Sequence, residues 1–139
     1  MIRKILSSKR GEMYVEAVVT IIIVMAVLLF CISALQVASV KNQADAIADT
    51  LLEHAAFYGC FDSNFYALVS EQKDAYPGIP FEVSISGDWF NEPLKRVQLG
   101  DTMTVKVSFS VTIGGFGSFI KIPLTTTRNG ASENYWKTA

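Results

Sequence analysis

The sequence predicts an α+β protein: a long N-terminal helix, half transmembrane and half amphipathic, packed on a small antiparallel sheet of three or four strands. Three observations predict it. Residues 17–35 contain no charged side chain and are dominated by Ile, Val, Leu, Met and Phe. Immediately after them, apolar residues recur at helical spacing. Further on, apolar and polar residues alternate with a period of two.

The apolar run comes first. A hydrocarbon core takes about 20 apolar residues to cross as a helix, and through Val40 only Thr20, Ser33, Gln36 and Ser39 are appreciably polar. A buried core helix of this kind would need more surrounding chain than 139 residues supply. A transmembrane helix over residues 12–40 is therefore expected. Arg3, Lys4, Lys9 and Arg10 precede the run, whereas only Lys41 closely follows it. That bias places the N-terminus in the cytoplasm and residues 41–139 on the outer side. Charge is asymmetric in another respect. Without the first eleven residues, 8 Lys+Arg stand against 13 Asp+Glu, a formal charge of −5. Such a balance gives no general attraction to nucleic acid, and no nucleic-acid partner is expected.

Beyond the run, Ala44, Ile47, Ala48, Leu51, Leu52, Ala55 and Tyr58 form an i, i+3, i+4, i+7 stripe, so the helix should continue through residues 41–58. Asp45, Asp49 and Glu53 fall four apart on another side, where they read as a solvated face with mild mutual repulsion. Gly59 is placed to end the helix. Asp62 is placed to cap a short second helix over residues 63–74. The run Tyr76-Pro77-Gly78-Ile79-Pro80 then breaks the helical pattern.

Residues 81–127 read as the antiparallel sheet. Phe81, Val83 and Ile85 alternate with Glu82, Ser84 and Ser86, and Gly87-Asp88 signals a turn. Met103, Val105, Val107, Phe109, Val111 and Ile113 alternate with polar residues, as in a strand with one buried face. A short strand is expected near residues 96–99, a returning strand over 119–127, and an irregular surface loop over 88–95. The amphipathic half of the helix is available to cover the apolar face of the sheet. The closing Tyr135 and Trp136 should pack back on the domain; the sharper alternative makes them a contact for another subunit.

Catalytic chemistry is sparsely provided for. The one histidine, His54, lies at the edge of an apolar stripe and reads as structural. Gly114, Gly115 and Gly117 lie between strands, outside the strand–loop–helix context of a phosphate-binding loop. On one continuous helix Cys31 and Cys60 would stand about 43 Å apart at a rise of about 1.5 Å per residue, beyond disulfide reach. Each is expected as a free thiol, with Cys60 able to pair between molecules. No cofactor, metal site or enzymatic activity is expected.

The N-terminal segment carries the most specific signal. Lys9-Arg10-Gly11, then Glu16 five residues after the glycine, then an unbroken apolar helix, resembles the processing motif of type IV prepilins. The order Arg10-Gly11…Val15-Glu16-Ala17 looks most like the TadE-like minor pseudopilins of tight-adherence pilus systems. The resemblance covers residues 9–40. It implies a basic leader, 1–11, cut by a prepilin peptidase between Gly11 and Glu12. It also implies a mature subunit that stays in the bacterial cell membrane and joins other pilin-like subunits through its apolar helix, with membrane lipid around it. Glu16 would be the assembly residue, pairing with the new amine of a neighbour, and the assembled form would be a cell-surface filament. Three features differ from the family pattern. Glu12 stands where mature pilins usually begin with Phe, Tyr14 precedes the glutamate instead of following it, and no proline occurs before Pro77. Two alternatives stay open: an unprocessed single-pass anchored binding module of an envelope or conjugation apparatus, and a secreted domain released after Ser39.

Overall fold

The computed structural model describes residues 9–115 and 118–137. Residues 1–8 of the expected leader, and Gly117 of the expected turn, lie outside the described residues. The chain divides into two compact units, one ending at Gln36 and one spanning Val37–Ala139. The fold is α+β, with the long N-terminal helix packed on a small antiparallel sheet.

Helix α1 spans Lys9–Tyr58. Up to Gln36 it is a single helix whose side chains from Glu12 to Ile32 are all exposed. Met13 at 70% and Phe30 at 74% mark its two ends. The two hydroxyls inside this stretch turn back on the helix. Thr20 Oγ1 donates to the Glu16 carbonyl at 2.8 Å and Ser33 Oγ to the Leu29 carbonyl at 2.9 Å. Neither presents an unsatisfied donor to an apolar surrounding.

In the second unit, residues 37–58 of α1 present the expected stripe. Ala44, Ile47, Ala48, Leu51 and Ala55 are buried. Gly59 stops the helix: its φ is +64° and its N–H donates to the Ala55 carbonyl at 2.8 Å, a left-handed terminus that suits glycine. Helix α2, Ser63–Ala75, follows. Its cap is Asp62, whose carboxylate accepts from the Phe65 N–H at 3.1 Å. Phe65 and Val69 turn inward.

The sheet has three strands, β1 (Phe81–Gly87), β4 (Thr102–Gly115) and β5 (Ser118–Ala131), in the order β1-β4-β5 and antiparallel throughout. Register runs from Phe81 opposite Phe109 to Gly87 opposite Met103, and from Thr102 opposite Ala131 to Gly115 opposite Ser118. Met103, Val105, Val107, Phe109 and Val111 of β4 are buried, and with the α1 stripe, Phe61, Phe65 and Phe81 they form the core. Each fully buried large aliphatic here contributes about 1.5–3 kcal/mol.

Two expectations need correction. Residues 88–95 do not form an irregular loop. Strands β2 (Trp89–Asn91) and β3 (Arg96–Val97) pair as a separate ribbon instead. Lys95 supplies the turn with φ 51°, Asn91 Oδ1 accepts from the Leu94 N–H, and Trp89 packs edge-on against Phe61 under the Lys95 ammonium. The ribbon is fixed to the α1–α2 junction by the Phe61 N–H to the Lys95 carbonyl and the Val97 N–H to the Gly59 carbonyl. Strand β5 also runs four residues past the expected Thr127, to Ala131. Thr126 and Arg128 occupy its inner face, opposite Val107 and Val105, because acidic groups on α1 receive them.

Candidate assembly segment and the surfaces of the outer unit

The candidate site residues of the N-terminal segment lie at the start of α1. Gly11 and Glu12 fall in its first turn, and Glu16 follows one turn later. A carboxylate in the first turn is favoured by the partial positive charge of the helix N-terminus, typically by about 0.3–1 kcal/mol. This gives Glu12 a local role in the uncut chain. Both carboxylates are exposed, and neither has an ion partner among the residues whose side chains are described. The helix they introduce is long and apolar enough to cross a membrane, and none of its most apolar window is buried within the chain.

The acidic face of α1 differs from its sequence reading. Asp45 and Asp49 do not face solvent alone. Thr126 Oγ1 donates to Asp45 Oδ1 at 2.8 Å, and the Lys41 ammonium lies 3.1 Å from Asp45 Oδ2. Arg128 bridges both acids, with Nε donating to Asp49 Oδ1 at 2.6 Å and Nη2 lying 3.6 Å from Asp45 Oδ1. The Thr126 hydroxyl, helped by Lys41 and Arg128 and opposed by burial, holds the Asp45 carboxyl below its ordinary value. The Asp49 carboxylate in turn raises the Arg128 guanidinium above its own. This cluster fastens α1 to β5 across 79 and 81 residues of sequence.

The two closing aromatics part company. Tyr135 is 64% exposed. Trp136 is held by its own domain. Its backbone N–H donates to Gln98 Oε1 at 2.7 Å, its carbonyl accepts from Gln98 Nε2 at 2.8 Å, and its indole lies 4.2 Å from the Arg96 guanidinium. The tail also completes the C-terminal end of α1, which has no basic residue in its last turn. Glu133 N–H donates to the Ala56 carbonyl, Asn134 Nδ2 to the Tyr58 carbonyl at 2.9 Å, and Trp136 Nε1 to the Gly59 carbonyl at 3.2 Å. Carbonyls at a helix end lack partners within the helix, and here the chain terminus supplies them.

Cys60 is buried. Its thiol is pushed up by that burial and, to a lesser degree, by the Asp62 charge. This geometry does not present the sulfur for pairing between molecules. His54 stacks on Tyr58 at 4.6 Å, and its buried Nδ1 has no hydrogen-bond partner among the described residues. Beside it is a shallow hollow of about 290 Å³, lined by Thr50, Glu53, Phe57, Tyr58 and Leu68. A larger open groove of about 600 Å³ lies between Lys73, Tyr76, Pro80 and Ser108. Among the described residues, no three His, Cys, Asp or Glu side chains gather to hold a metal.

Comparison with curated proteins and with solved structures finds no match. A family model does match, over residues 21–137, which takes in most of the apolar helix and the whole described part of the second unit. The chain therefore belongs to the family described as a domain of unknown function, DUF4320.

Proposed function

We propose that this chain is a minor pilin-like subunit of a tight-adherence-type pilus or related envelope assembly, anchored in the bacterial membrane by residues 12–40 and joined to other pilin-like subunits through that helix. What carries the reading is the exposed apolar surface of α1 from Met13 to Leu35, introduced by Glu16, a carboxylate with no ion partner among the residues whose side chains are described. A lone charge in hydrocarbon costs several kcal/mol, and a cationic partner from a neighbour removes most of that cost. Requiring such a partner at one level of the helix sets axial register between subunits. Gly11 and Glu12 mark the processing bond, with Lys9 and Arg10 holding it on the cytoplasmic side. The role is structural and needs no catalysis.

Two measurements test this. Mass spectrometry of the chain from its native host should find Glu12 as the N-terminus. Glu16→Ala should leave the monomer folded and in the membrane while reducing crosslinked oligomers at least about tenfold, the loss expected when a pairing worth over 1.4 kcal/mol disappears. An intact Met1 start together with unchanged crosslinking of Glu16→Ala would instead establish an unprocessed single-pass binding module.

A further inference from the structure

The middle strand of the sheet has one side only partly covered. Strand β1 pairs with β4 from Met103 to Phe109. Beyond Phe109, β4 runs on to Gly115 paired with β5 alone. The direction of its backbone groups follows from two hydrogen bonds at the other end of the sheet. The Asp88 N–H donates to the Thr102 carbonyl at 3.1 Å on the β1 side, and the Ser132 N–H donates to the Asp101 carbonyl at 3.0 Å on the β5 side. In an unbroken antiparallel register these directions alternate residue by residue. Even-numbered residues of β4 therefore turn their N–H and C=O groups towards the β1 side. Ser110, Thr112 and Gly114 do so where β1 has already ended. Pro123 fits the same pattern, since it lies opposite Ser110, where its missing N–H takes nothing from the β4–β5 ladder. On that open side Ser110, Thr112 and Gly114 have no hydrogen-bond partner among the described residues.

The two free edges of the sheet differ in chemistry. The outer edge of β5 is blunted, because Pro123 offers no donor there and the neighbouring Lys121 carries a charge. The open edge of β4 has neither device. Its Ser110-Val111-Thr112-Ile113 is uncharged, free of proline and rich in β-branched residues, a segment suited to taking a further strand. The place for such a strand is bounded at one end. Phe81 stands opposite Phe109, and the chain before it is no longer strand at Pro80. A strand added along Ser110–Gly114 meets the head of β1 and has to end or turn there. At that point opens the groove of about 600 Å³, lined by Lys73, Tyr76, Pro80, Glu82, Ser108 and Ser110 among others. The Lys73 ammonium lies 5.8 Å from the Phe81 ring centroid and has no ion partner among the described residues. Glu82 lines the groove too, which disfavours more than one added negative charge.

We propose that this edge and groove bind the extended C-terminal end of a partner protein, antiparallel to β4, with its last residue opposite Ser110 and its terminal carboxylate towards Lys73. A strand in line with β1 and running the same way reaches the groove with its C-terminus. The reverse direction would bring a cationic amine to Lys73. The N–H and C=O groups of Ser110, Thr112 and Gly114 supply about six hydrogen bonds to such a strand. Residues opposite Val111 and Ile113 share the inward face with them, so the partner carries apolar side chains at its last position but one and two residues before that. Its other positions are polar. The contact lies wholly within the second unit and goes beyond the anchored reading of residues 12–40.

The test uses the full chain in dodecyl maltoside and fluorescence anisotropy. The probe is a fluorescein-labelled Gly-Thr-Val-Thr-Val-Thr peptide, made once with a free C-terminal carboxylate and once as the amide. The carboxylate peptide should bind saturably, and the amide about tenfold more weakly. In Lys73→Gln, at an exposed side chain, both peptides should bind alike and at the level of the amide. Thr112→Pro removes an N–H that faces the open edge and leaves the β4–β5 ladder whole, so affinity should fall at least about tenfold with the fold retained by circular dichroism. Should Thr112→Pro fail to fold, Lys73→Gln decides. Absence of saturable binding to the parent chain overturns the proposal. Equal affinity of the two peptides for the parent overturns it as well, and so does binding that a folded Thr112→Pro leaves unchanged. Amide exchange of the free chain, read by NMR at two concentrations, distinguishes the remaining occupant. The amides of Ser110, Thr112 and Gly114 should exchange at least about tenfold faster than those of Val111 and Ile113, whose N–H groups are bonded to β5. Protection of the three that grows with protein concentration shows a second copy filling the edge, which also overturns the proposal. None of these readouts involves Glu16 or residues 12–40, so the anchored reading stands or falls separately.

Discussion

Gly59 and Asp45 are the two residues on which the outer unit depends most visibly, for different reasons. Gly59 has a φ of +64°, and a Cβ there would stand 2.7 Å from Ser132 Oγ and 2.8 Å from Asn134 Cβ. Gly59→Ala combines backbone strain with a clash against the tail, so a loss of about 2–4 kcal/mol is expected. A thermal melt of the full chain in detergent would read it as a drop of many degrees, with the helical signal of the folded state unchanged. Asp45 acts through charge. Its folded value lies below the ordinary 3.8, chiefly because of the Thr126 hydroxyl. A depressed carboxylate contributes stability that is complete at neutral pH and is lost as pH falls from 3.8 through the folded value. Asp45→Asn should therefore lower stability at pH 7 by about 0.5–1 kcal/mol, allowing for solvent screening. The gap between variant and parent should close in strong acid. Denaturant midpoints measured over a pH series check this, and a gap that widened in acid would contradict the assignment.

At the scale of elements, the end of α1 and the C-terminal tail form one structure although 77 residues separate Gly59 from Trp136. Trp136→Ala removes the indole bond to the Gly59 carbonyl, which keeps its bond from the Val97 N–H, and the stacking on Arg96. A cost of about 1–3 kcal/mol is expected. Tyr135→Ala, at an exposed side chain, should stay within about 0.5 kcal/mol. Comparing the thermal midpoints of the two variants separates a docked tail from a frayed one. The local elements were legible in sequence because short-range chemistry specifies them. The α1 stripe, the Gly59 stop, the Asp62 cap and the alternation of β4 each lie within one window of chain. The last residues of β5 were hidden, since Arg128 on an inner face looks like a solvent position until Asp45 and Asp49 are known to meet it. Of the β2–β3 ribbon, β3 answers to the short strand expected near residues 96–99, but β2 and the pairing of the two were hidden. Strands of two or three residues carry no period, and its hydrogen bonds to Gly59 and Phe61 are non-local. The same limit applied to the acidic stripe, whose partners lie on another element.

For the whole molecule, the proposed anchoring makes the N-terminal charges the determinant of which side of the membrane each part occupies. In sequence the apolar run declares itself by length, and its orientation rests on Arg3, Lys4, Lys9 and Arg10 against Lys41 alone. Cations flanking a first helix are retained in the cytoplasm, while acidic residues contribute little. Glu12 and Glu16 therefore should not weaken the bias, and the outer unit, with its acidic excess, should cross. In intact spheroplasts the parent chain should lose its outer unit to added protease while the segment before Lys41 survives. Replacing all four leading cations by Ala leaves Lys41 as the nearest positive charge, and most of the population should then invert and become protected. The same variant also removes the basic residues before Gly11, so cleavage at Glu12 should fall in parallel, because an inverted chain presents Gly11 on the wrong face. If the four-Ala variant kept both its protease sensitivity and its processing, the apolar run would be orienting itself by something other than flanking charge.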